Sequence, residues 1–391
     1  MKKHRLWYGM TVAVSFAIYI IANRREALVF LAVLIMMPII LGLIQILAMN
    51  GLEMEYILGT GCTVRNKIPL TLKIKKNNSL PIGPVHLQIS IHNLMFQEEA
   101  EHQIILQSSG KKELEFQYMI KMEDCGSVRT TVQSVEFFDL TGLLCIFQKQ
   151  EQIMETLVYP AEIPLVAKLE RRPETTTFGD FYDQNRKGQD VSEVSGLRDY
   201  AEGDSLGSIH WKLSGKLDQL VVREFGYPSN YQVLILYDMM KEYSGQKIAN
   251  QRNNAVLALT SALSYSMVEL NLEHNVGRVT DGEFHSIPVY SRATHEQMLV
   301  NLICRPVSEN NEKGDAVYHF LRQDLKKEFT KIIYITPEYE ESAVRQLSRD
   351  ADITVVKVVQ GTDGSYVDTP GYAVIPVDAE HYREKVHSIV I

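Results

Sequence analysis

The residues best suited to do chemistry lie in one stretch, Ser195 to Phe225, which reads SGLRDYAEGDSLGSIHWKLSGKLDQLVVREF. Carboxylates, a histidine and a lysine placed close together can transfer protons if their surroundings separate their pKa values. The candidate binding residues of this stretch are Arg198, Asp199, Tyr200, Gly203, Asp204, His210, Trp211, Lys212, Arg223 and Glu224. Their density makes it the first place to look for a site.

Two interpretations of this stretch remain open. In the first, Trp211 is packed in a core and the charges around it form a structural network, because buried charges are paired. In the second, the stretch is a polar site at the rim of a sheet. Its acid–base candidates are then Asp199, Asp204, His210 and Lys212. We expect a divided outcome, with Trp211 and Arg223 structural, and Arg198, Asp204 and Lys212 functional.

The elements that would position this site follow Gln232, where strand and helix patterns alternate. The predicted strands are 233–238, 331–336 and 353–359, with a possible antiparallel edge at 284–289; the predicted helices are 253–270, 315–329 and 338–349. This alternation predicts an open, mostly parallel α/β sheet with helices on both faces. Ligands of such sheets bind beyond the carboxyl ends of the strands, here at Asp238 and at Thr336-Pro337-Glu338.

An earlier region, Cys62 to Tyr159, alternates apolar and polar residues with period two. The runs 70–74, 85–91 and 114–120 each place apolar residues on one face of a strand, with turn-forming stretches such as 76–79 and 108–110 between them. The pattern predicts an antiparallel β-sandwich of roughly seven strands.

The first fifty residues hold two apolar runs, 6–22 and 27–49, joined by Asn23-Arg24-Arg25-Glu26. A bilayer-spanning helix needs about 20 mostly apolar residues, so these runs predict a transmembrane helical hairpin. A signal peptide is the alternative for the first run. It is disfavoured because charged residues stand where a cleavage site should be and because a second apolar run follows at once. Lys2, Lys3 and Arg5 favour a cytoplasmic soluble part at the cell membrane.

Composition narrows the functional classes. The 391 residues carry a net charge of −8, which argues against general nucleic-acid binding. The four cysteines are far apart and form neither a zinc pattern nor a disulfide framework. The sequence contains no Walker loop, Gly-x-Ser-x-Gly elbow or His-Glu-x-x-His helix. We therefore predict no cofactor and favour a non-enzymatic role over an enzymatic one.

The stretch 195–225 resembles the signature of bacterial domain-of-unknown-function family fifty-eight. The matching steps are Leu197-Arg198-Asp199-Tyr200, Gly203-Asp204, Ile209-His210-Trp211-Lys212 and Val222-Arg223-Glu224-Phe225, with outer landmarks at 139–143 and 158–160. The resemblance implies a C-terminal domain similar to von Willebrand factor A. It also implies work beside a MoxR-type AAA+ ATPase and other membrane proteins.

Departures from the family pattern limit what the resemblance carries over. Gly207-Ser208 and Gly215-Lys216 stand where arginines are usual in the family. The von Willebrand factor A metal site needs Asp-x-Ser-x-Ser, whereas Asp238 is followed by Met239 and Met240. We therefore expect a degenerate site at Asp238 that holds no metal, because Mg²⁺ wants several oxygen ligands.

These observations divide the chain into a hairpin (1–50), a β-sandwich domain (51–165), a linker with the signature (166–230) and a von Willebrand factor A-like domain (231–391). The favoured function is a membrane-anchored, non-enzymatic scaffold or adaptor that helps an AAA+ ATPase to assemble or remodel membrane or envelope complexes. A hydrolase or transferase using the signature carboxylates and His210 is the alternative. A cell-surface adhesion module would require the opposite orientation.

Overall fold

The computed structural model describes most of the chain in two compact units. The described residues are 2–22, 24–107, 111–168, 194–200, 209–217, 219–225, 233–240, 246–280, 283–307, 315–322, 329–349, 351–361, 367–369, 371–385 and 388–390. The first unit comprises 1–161 and 299–307, and the second comprises 162–298 and 308–391.

The first unit begins with two long apolar helices, α1 (Lys2–Ala22) and α2 (Arg25–Ala48). They lie against each other, and the Tyr8 hydroxyl of α1 donates a hydrogen bond to the Leu34 carbonyl of α2. Both helices are long and apolar enough to cross a membrane, and nearly all of their side chains are exposed on the protein surface. Apolar side chains left uncovered over this length fit a lipid environment.

Eight strands follow in the first unit. They are β1 (Glu53–Leu58), β2 (Cys62–Thr63), β3 (Lys67–Lys75), β4 (Val85–Asn93), β5 (Glu98–Leu106), β6 (Glu113–Lys121), β7 (Gly126–Phe138) and β8 (Cys145–Tyr159). They form a three-stranded sheet, β1-β3-β6, and a five-stranded sheet, β2-β8-β7-β4-β5. All pairs are antiparallel except the two-residue pairing of β2 with β8.

The period-two pattern correctly predicted the buried face of β3 and of most of β4, whereas in β6 Leu114 and Ile120 are buried but Tyr118 on the same predicted face is exposed. Leu70, Leu72 and Ile74 of β3 are buried, while their neighbours are partly or fully exposed. In β4 the same holds for Val85, Leu87 and Ile89, although His86 and Ser90 on the opposite face are also covered. Alternation places one side of each strand against apolar neighbours, and this burial stabilises the sheets.

The second unit is built on a seven-stranded sheet with the order β14-β13-β12-β15-β16-β18-β17. Its strands are β12 (Val233–Tyr237), β13 (His274–Thr280), β14 (Glu283–Val289), β15 (Lys331–Thr336), β16 (Asp352–Val359), β17 (Val367–Thr369) and β18 (Tyr372–Asp378). The five central strands are parallel, and the edge strands β14 and β17 are antiparallel to their neighbours.

The helices of this unit are α4 (Gln246–Glu269), α6 (Asp315–Arg322), α7 (Glu341–Leu347) and α8 (Tyr382–Lys385). Helix α5 (Arg292–Ile303) begins in this unit, and its residues from Leu299 onward are assigned to the first unit. Helices α6 and α7 bury Phe320 and Leu347 in one core with Leu234 of β12. Alternate residues of the strands point to the opposite face of the sheet. On that face α4 packs along β12, β15 and β16. The mostly parallel sheet is thus covered on both faces, as the sequence predicted.

Two small two-stranded sheets and one short helix complete the second unit. Strands β9 (Val166–Lys168) and β19 (Ser388–Val390) pair in parallel, and the Ala167 N–H donates a 2.8 Å hydrogen bond to the Ser266 hydroxyl of α4. The signature contributes β10 (Val194–Asp199), α3 (Trp211–Leu217) and β11 (Val221–Phe225). The sequence analysis predicts no element at β13, α5 or β18. Strand β13 and helix α5 lack a long apolar run, and the apolar run of β18 is interrupted by Pro376, which is unusual inside a strand.

Candidate functional site

The carboxyl edge of the seven-stranded sheet is organised around β12. The chain leaves β12 through α4 to β13 on one side, whereas β15 lies on the other side of β12. In open parallel sheets such a reversal of strand order leaves a crevice where ligands bind. Asp238 is the first residue after β12 and therefore stands at this crevice.

Asp238 is buried and its carboxylate is engaged by the protein itself. Its Oδ2 accepts a 2.6 Å hydrogen bond from the Tyr334 hydroxyl of β15 and a 3.3 Å hydrogen bond from the Ala316 N–H of α6. The first N–H groups of a helix lack partners within the helix, and a carboxylate satisfies them well. Asp238 thereby ties β12 to β15 and to the start of α6.

The residues after Asp238 are also held by the protein. The Asn253 side chain of α4 accepts a 3.1 Å hydrogen bond from the Met240 N–H and donates one of 2.7 Å to the Met240 carbonyl. Met239 is buried. Within the described part of the chain, no three His, Cys, Asp or Glu side chains are grouped so as to hold a metal ion.

The turn after β15 is fixed by its own threonine. The Thr336 hydroxyl donates a 2.6 Å hydrogen bond to the Glu338 carbonyl and accepts a 3.3 Å one from the Glu338 N–H. This places Pro337, Glu338 and Tyr339 beside an open cleft of about 360 Å³. The cleft is lined by Arg252, Pro337, Glu338, Tyr339, Lys357 and Val359.

The lining of the cleft combines two cationic side chains, one carboxylate and one aromatic ring. The Lys357 ammonium lies 5.6 Å from the centre of the Tyr339 ring. Burial, helped by the neighbouring Tyr372 and Glu341, raises the pKa of Tyr339 to about 12, so its hydroxyl stays protonated at neutral pH. None of the six lining residues is a nucleophilic Ser, Thr or Cys. The cleft thus offers charged and aromatic groups to a ligand.

A second carboxylate stands at the end of β18. Asp378 Oδ1 accepts hydrogen bonds from the Glu380 N–H (3.0 Å) and the Gly361 N–H (3.3 Å), and its Oδ2 lies 2.9 Å from His381 Nδ1. Burial opposes ionisation of Asp378, but these hydrogen bonds outweigh it and lower its pKa. Asp378 therefore remains a carboxylate that braces the loop after β16.

The signature segment folds around β11. Strand β10 pairs with β11 along one edge, and Ile209 bridges Val222 on the other edge. Helix α3 is tied to the same strand, because the Val221 N–H donates a 3.0 Å hydrogen bond to the Ser214 hydroxyl. Ile209, Val221 and Val222 are buried, so they anchor this small unit.

Trp211 corrects the expectation of a buried anchor. Its side chain is 64% exposed at the first position of α3, and the expectation was wrong because Ile209 takes the buried place next to β11. Lys212 is also exposed. The His210 ring does not point to a shared site, since its Nδ1 accepts a 3.3 Å hydrogen bond from the Leu213 N–H at the start of α3.

The other signature residues are only partly placed. Asp199 is exposed and accepts a 3.4 Å hydrogen bond from Gln219. Tyr200 is half-buried, and its N–H donates to the Leu220 carbonyl. Gly203 and Asp204 lie outside the described residues, and Arg198, Arg223 and Glu224 are described by their backbones, in β10 and β11.

The arrangement separates two of the acid–base candidates. Asp199 ends the strand on one edge of β11, and His210 follows the bridge on the other edge. Two inter-strand spacings put their backbones about 10 Å apart. A direct carboxylate–histidine dyad between them is not favoured by this geometry.

One family model matches a region that contains both the signature strands and the carboxyl edge of the large sheet. Residues 196–378 match the family model "Protein of unknown function DUF58". The match supports the family resemblance that the signature motifs indicated. The matched residues 196–378, called the DUF58 region below, include Asp199, Trp211, Asp238 and the cleft.

Other comparisons add no functional information. No curated protein matches the chain. A β-glucosidase from Listeria innocua is 13% identical with a TM-score of 0.18, over 27% of this chain and only 16% of that one. A superoxide reductase (neelaredoxin) from Ignicoccus hospitalis is 7% identical with a TM-score of 0.15, over 25% and 79%. A glycosyl hydrolase family 2 member from Bacteroides cellulosilyticus is 8% identical with a TM-score of 0.20, over 80% and 37%. Similarity this low carries no argument.

Sequence reasoning missed most of the cleft within the DUF58 region. Glu338 was singled out because it follows a strand, but Arg252 and Lys357 were not. Arg252 lies within a helix and Lys357 within a strand, so local pattern gives them no distinguishing signal. They become neighbours of Glu338 only when α4, β15 and β16 assemble.

Proposed function

We propose that the chain is a membrane-anchored, non-enzymatic scaffold or adaptor whose DUF58 region binds a protein partner through helix α3. The family resemblance suggests a MoxR-type AAA+ ATPase as that partner, with other membrane proteins as clients. The work would be the assembly or remodelling of membrane or envelope complexes. The soluble part would lie on the cytoplasmic side of the cell membrane.

The observation that carries this proposal is the exposure of Trp211. A tryptophan buries a large apolar area when a partner covers it, and such residues dominate many interfaces. Lys212 and Lys216, one helical turn apart, form an exposed cationic stripe beside it. A partner surface with an apolar pocket and an acidic rim would complement both features.

The surface around Trp211 is also open. A Cβ atom added at Gly215, four residues further along α3, would meet nothing within 4 Å. Gly215 and Trp211 lie on one face of the helix. This face can therefore receive a partner without any rearrangement of α3.

The same observations make catalysis the weaker proposal. Strand β11 separates Asp199 from His210, and the His210 ring is engaged at the start of α3. The Asp238 carboxylate accepts hydrogen bonds from two protein donors at the place where a von Willebrand factor A domain would bind its metal. Both arrangements support a binding role for the DUF58 region.

The finer fold assignments belong to this proposal. We assign the two sheets formed by β1 to β8 to an antiparallel β-sandwich. We assign the sheet formed by β12 to β18 to the von Willebrand factor A-like class. Support comes from the parallel central strands, the helices on both faces and the reversal of strand order at Asp238.

Direct binding tests the proposal. The full chain in lipid nanodiscs is titrated with a purified MoxR-type ATPase of the same organism, with and without nucleotide. Gly215→Glu adds bulk and negative charge beside Trp211 and should abolish binding while α3 stays folded. Tyr290→Ala, which removes an exposed aromatic ring elsewhere in the second unit, should bind like the natural chain. Equal binding by all three proteins, or no binding by the natural chain, would overturn the proposal.

A further inference from the structure

The loop between β7 and β8 presents two leucines to its surroundings. Leu140 is 52% exposed and Leu144 is 46% exposed. The loop is held in shape by the buried Asp139, whose Oδ1 accepts a 2.8 Å hydrogen bond from the Leu144 N–H and whose Oδ2 accepts one of 3.2 Å from the Thr141 N–H. The leucines are therefore displayed by a braced loop.

This loop lies directly beside the second apolar helix. A Cβ atom built on Gly42 of α2 would come within 2.6 Å of Leu144 Cδ1, so the leucine packs against the bare helix backbone. Gly42, Gln45 and Ala48 form the buried face of α2, and Gln45 Oε1 accepts a 3.3 Å hydrogen bond from the Gly83 N–H. The sheets of the first unit thus dock onto the last two turns of α2.

The end of the helix is also capped by this unit. The Asn78 side chain donates a 2.9 Å hydrogen bond to the Leu47 carbonyl, one of the carbonyls that lack a partner within the helix. The short link from Ala48 to β1 leaves little slack. The depth of the loop relative to α2 is consequently fixed.

That depth can be read from the length of the span. A hydrocarbon core needs about 20 residues, and counting them from Ala27, the first residue after the charged Arg24-Arg25-Glu26, ends near Ile46. Gly42 is then about 6 Å inside the boundary, at a rise of about 1.5 Å per residue. Leu144, which touches Gly42, must lie at the level where the acyl chains begin.

The charges nearby fit a position at this boundary. Lys2, Lys3 and Arg5 lie in the first turn of α1, at the same end of the hairpin as the loop. Burial and Glu136 raise the pKa of the Cys145 thiol, and the positive charge of Arg5 opposes that shift. Arg5 is therefore near enough to Cys145, the first residue of β8, to act on it, and its positive charge would favour lipid phosphates at this boundary.

We propose that the loop 139–144 inserts Leu140 and Leu144 into the lipid bilayer, as a third membrane contact beside α1 and α2. The ligand of this surface is the headgroup–acyl boundary of a phospholipid leaflet. This inference rests on the membrane anchoring proposed above. Its consequence is that the first unit is held against the bilayer in one orientation.

Depth-dependent quenching of a fluorophore tests this proposal. The four native cysteines are replaced by serine or alanine, and a polarity-sensitive dye is attached to the Leu140→Cys variant of the full chain. The protein is then reconstituted with phospholipids that carry a spin label near the glycerol end of their acyl chains. Val33→Cys in α2 reports the anchoring itself. Ile153→Cys, which is 53% exposed on β8, is the matched surface control.

We expect the dye at position 140 to lose at least about half of its fluorescence to the lipid quencher, while the dye at 153 is quenched by aqueous iodide. Quenching at 33 but not at 140 would overturn the insertion and leave the anchoring intact. A lack of quenching at 33 would overturn the anchoring, and the inference with it.

If the cysteine-free protein does not fold, photo-crosslinking in native membranes tests the insertion of the loop. A benzophenone amino acid placed at position 140 should form adducts with phospholipid that mass spectrometry identifies. An adduct only with a second copy of the chain, or only with another protein, would show a protein interface there and overturn the proposal.

Discussion

The Tyr334 hydroxyl donates a 2.6 Å hydrogen bond to Asp238 Oδ2, and both residues are buried at the point where the strand order of the large sheet reverses. This pairing joins the ends of two neighbouring parallel strands. In other open sheets the position of Asp238 is part of a ligand-binding crevice. Here its carboxylate stabilises the fold.

Removing this donor should weaken the second unit. Tyr334→Phe leaves the Asp238 carboxylate buried with one hydrogen bond fewer, which should lower the free energy of unfolding by about 1–3 kcal/mol. Tyr290→Phe, at an exposed ring, should change it by less than about 0.5 kcal/mol. Urea unfolding of the full chain in detergent measures both, and equal effects of the two variants would contradict the role given to Tyr334.

Divalent metal should not stabilise the protein. Asp238 Oδ2 already accepts hydrogen bonds from Tyr334 and Ala316, and Met239 and Met240 supply no oxygen side chains. A ligand that binds only the folded state raises the melting temperature, so MgCl₂, MnCl₂ or EDTA should leave it unchanged. A rise of the melting temperature with Mg²⁺ that Asp238→Ala abolishes would show a metal site at Asp238 and contradict this prediction.

Acid should destabilise the second unit through two buried histidines. The Ser264 hydroxyl lies 2.7 Å from His274 Nε2 and 3.1 Å from His295 Nδ1. Burial lowers the pKa of His274 to about 4, and burial together with the charge of His274 lowers that of His295 to about 4.

The sign follows from proton binding. Between about pH 6.5 and pH 4 the unfolded chain binds protons at these histidines and the folded chain does not, so stability is complete above this window and falls as the pH drops through it. The loss is on the order of 3 kcal/mol per histidine. Unfolding midpoints at pH 7.5 and pH 5 should differ less in His295→Gln than in the natural chain. The exposed His285→Gln should behave like the natural chain; if it flattens the pH dependence equally, the assignment fails.

The signature segment should depend on Ile209 and not on Trp211 for its stability. Ile209→Ala removes a buried side chain and should cost about 2–5 kcal/mol, whereas Trp211→Ala should change stability by less than about 1 kcal/mol because its ring is largely exposed. Thermal melts of the two variants compare them directly. A large loss of thermal stability in Trp211→Ala would show that Trp211 belongs to the core and contradict this prediction.

The orientation in the membrane can be tested at Cys304. This thiol is exposed, whereas Cys125 is fully buried. Burial raises the pKa of the Cys304 thiol, so labelling is best done at mildly alkaline pH. With a cytoplasmic soluble part, a membrane-impermeant maleimide should label Cys304 only after permeabilisation, and Cys125 should stay unlabelled in the folded protein. Labelling of Cys304 on intact cells would reverse the orientation.

Local pattern predicted much of the architecture. The apolar runs of the first fifty residues became α1 and α2, KIIYIT became β15, and the alternation at Leu70, Leu72 and Ile74 marked the buried face of β3. Each depends on a chemical pattern within one element. The period of a helix or a strand decides which side chains share a face.

The elements that escaped prediction lack such a pattern. Strand β13 contains His274, Asn275 and Arg278, and it is a strand because it pairs with β12 and β14. Helix α5 has no sustained apolar face. Pairing with distant residues outweighed the local preference of these segments.

The sequence by itself determined the two apolar helices, the alternation of strands and helices after Gln232, and the residue types available in the signature. Only the tertiary structure decided that Trp211 is exposed while Ile209 is buried, that Tyr334 and Ala316 engage Asp238, and that Arg252, Glu338 and Lys357 share one cleft. The physical reason is the range of the forces involved. Periodicity acts between neighbours in sequence, whereas burial and hydrogen bonding at a site depend on which distant elements the fold brings together.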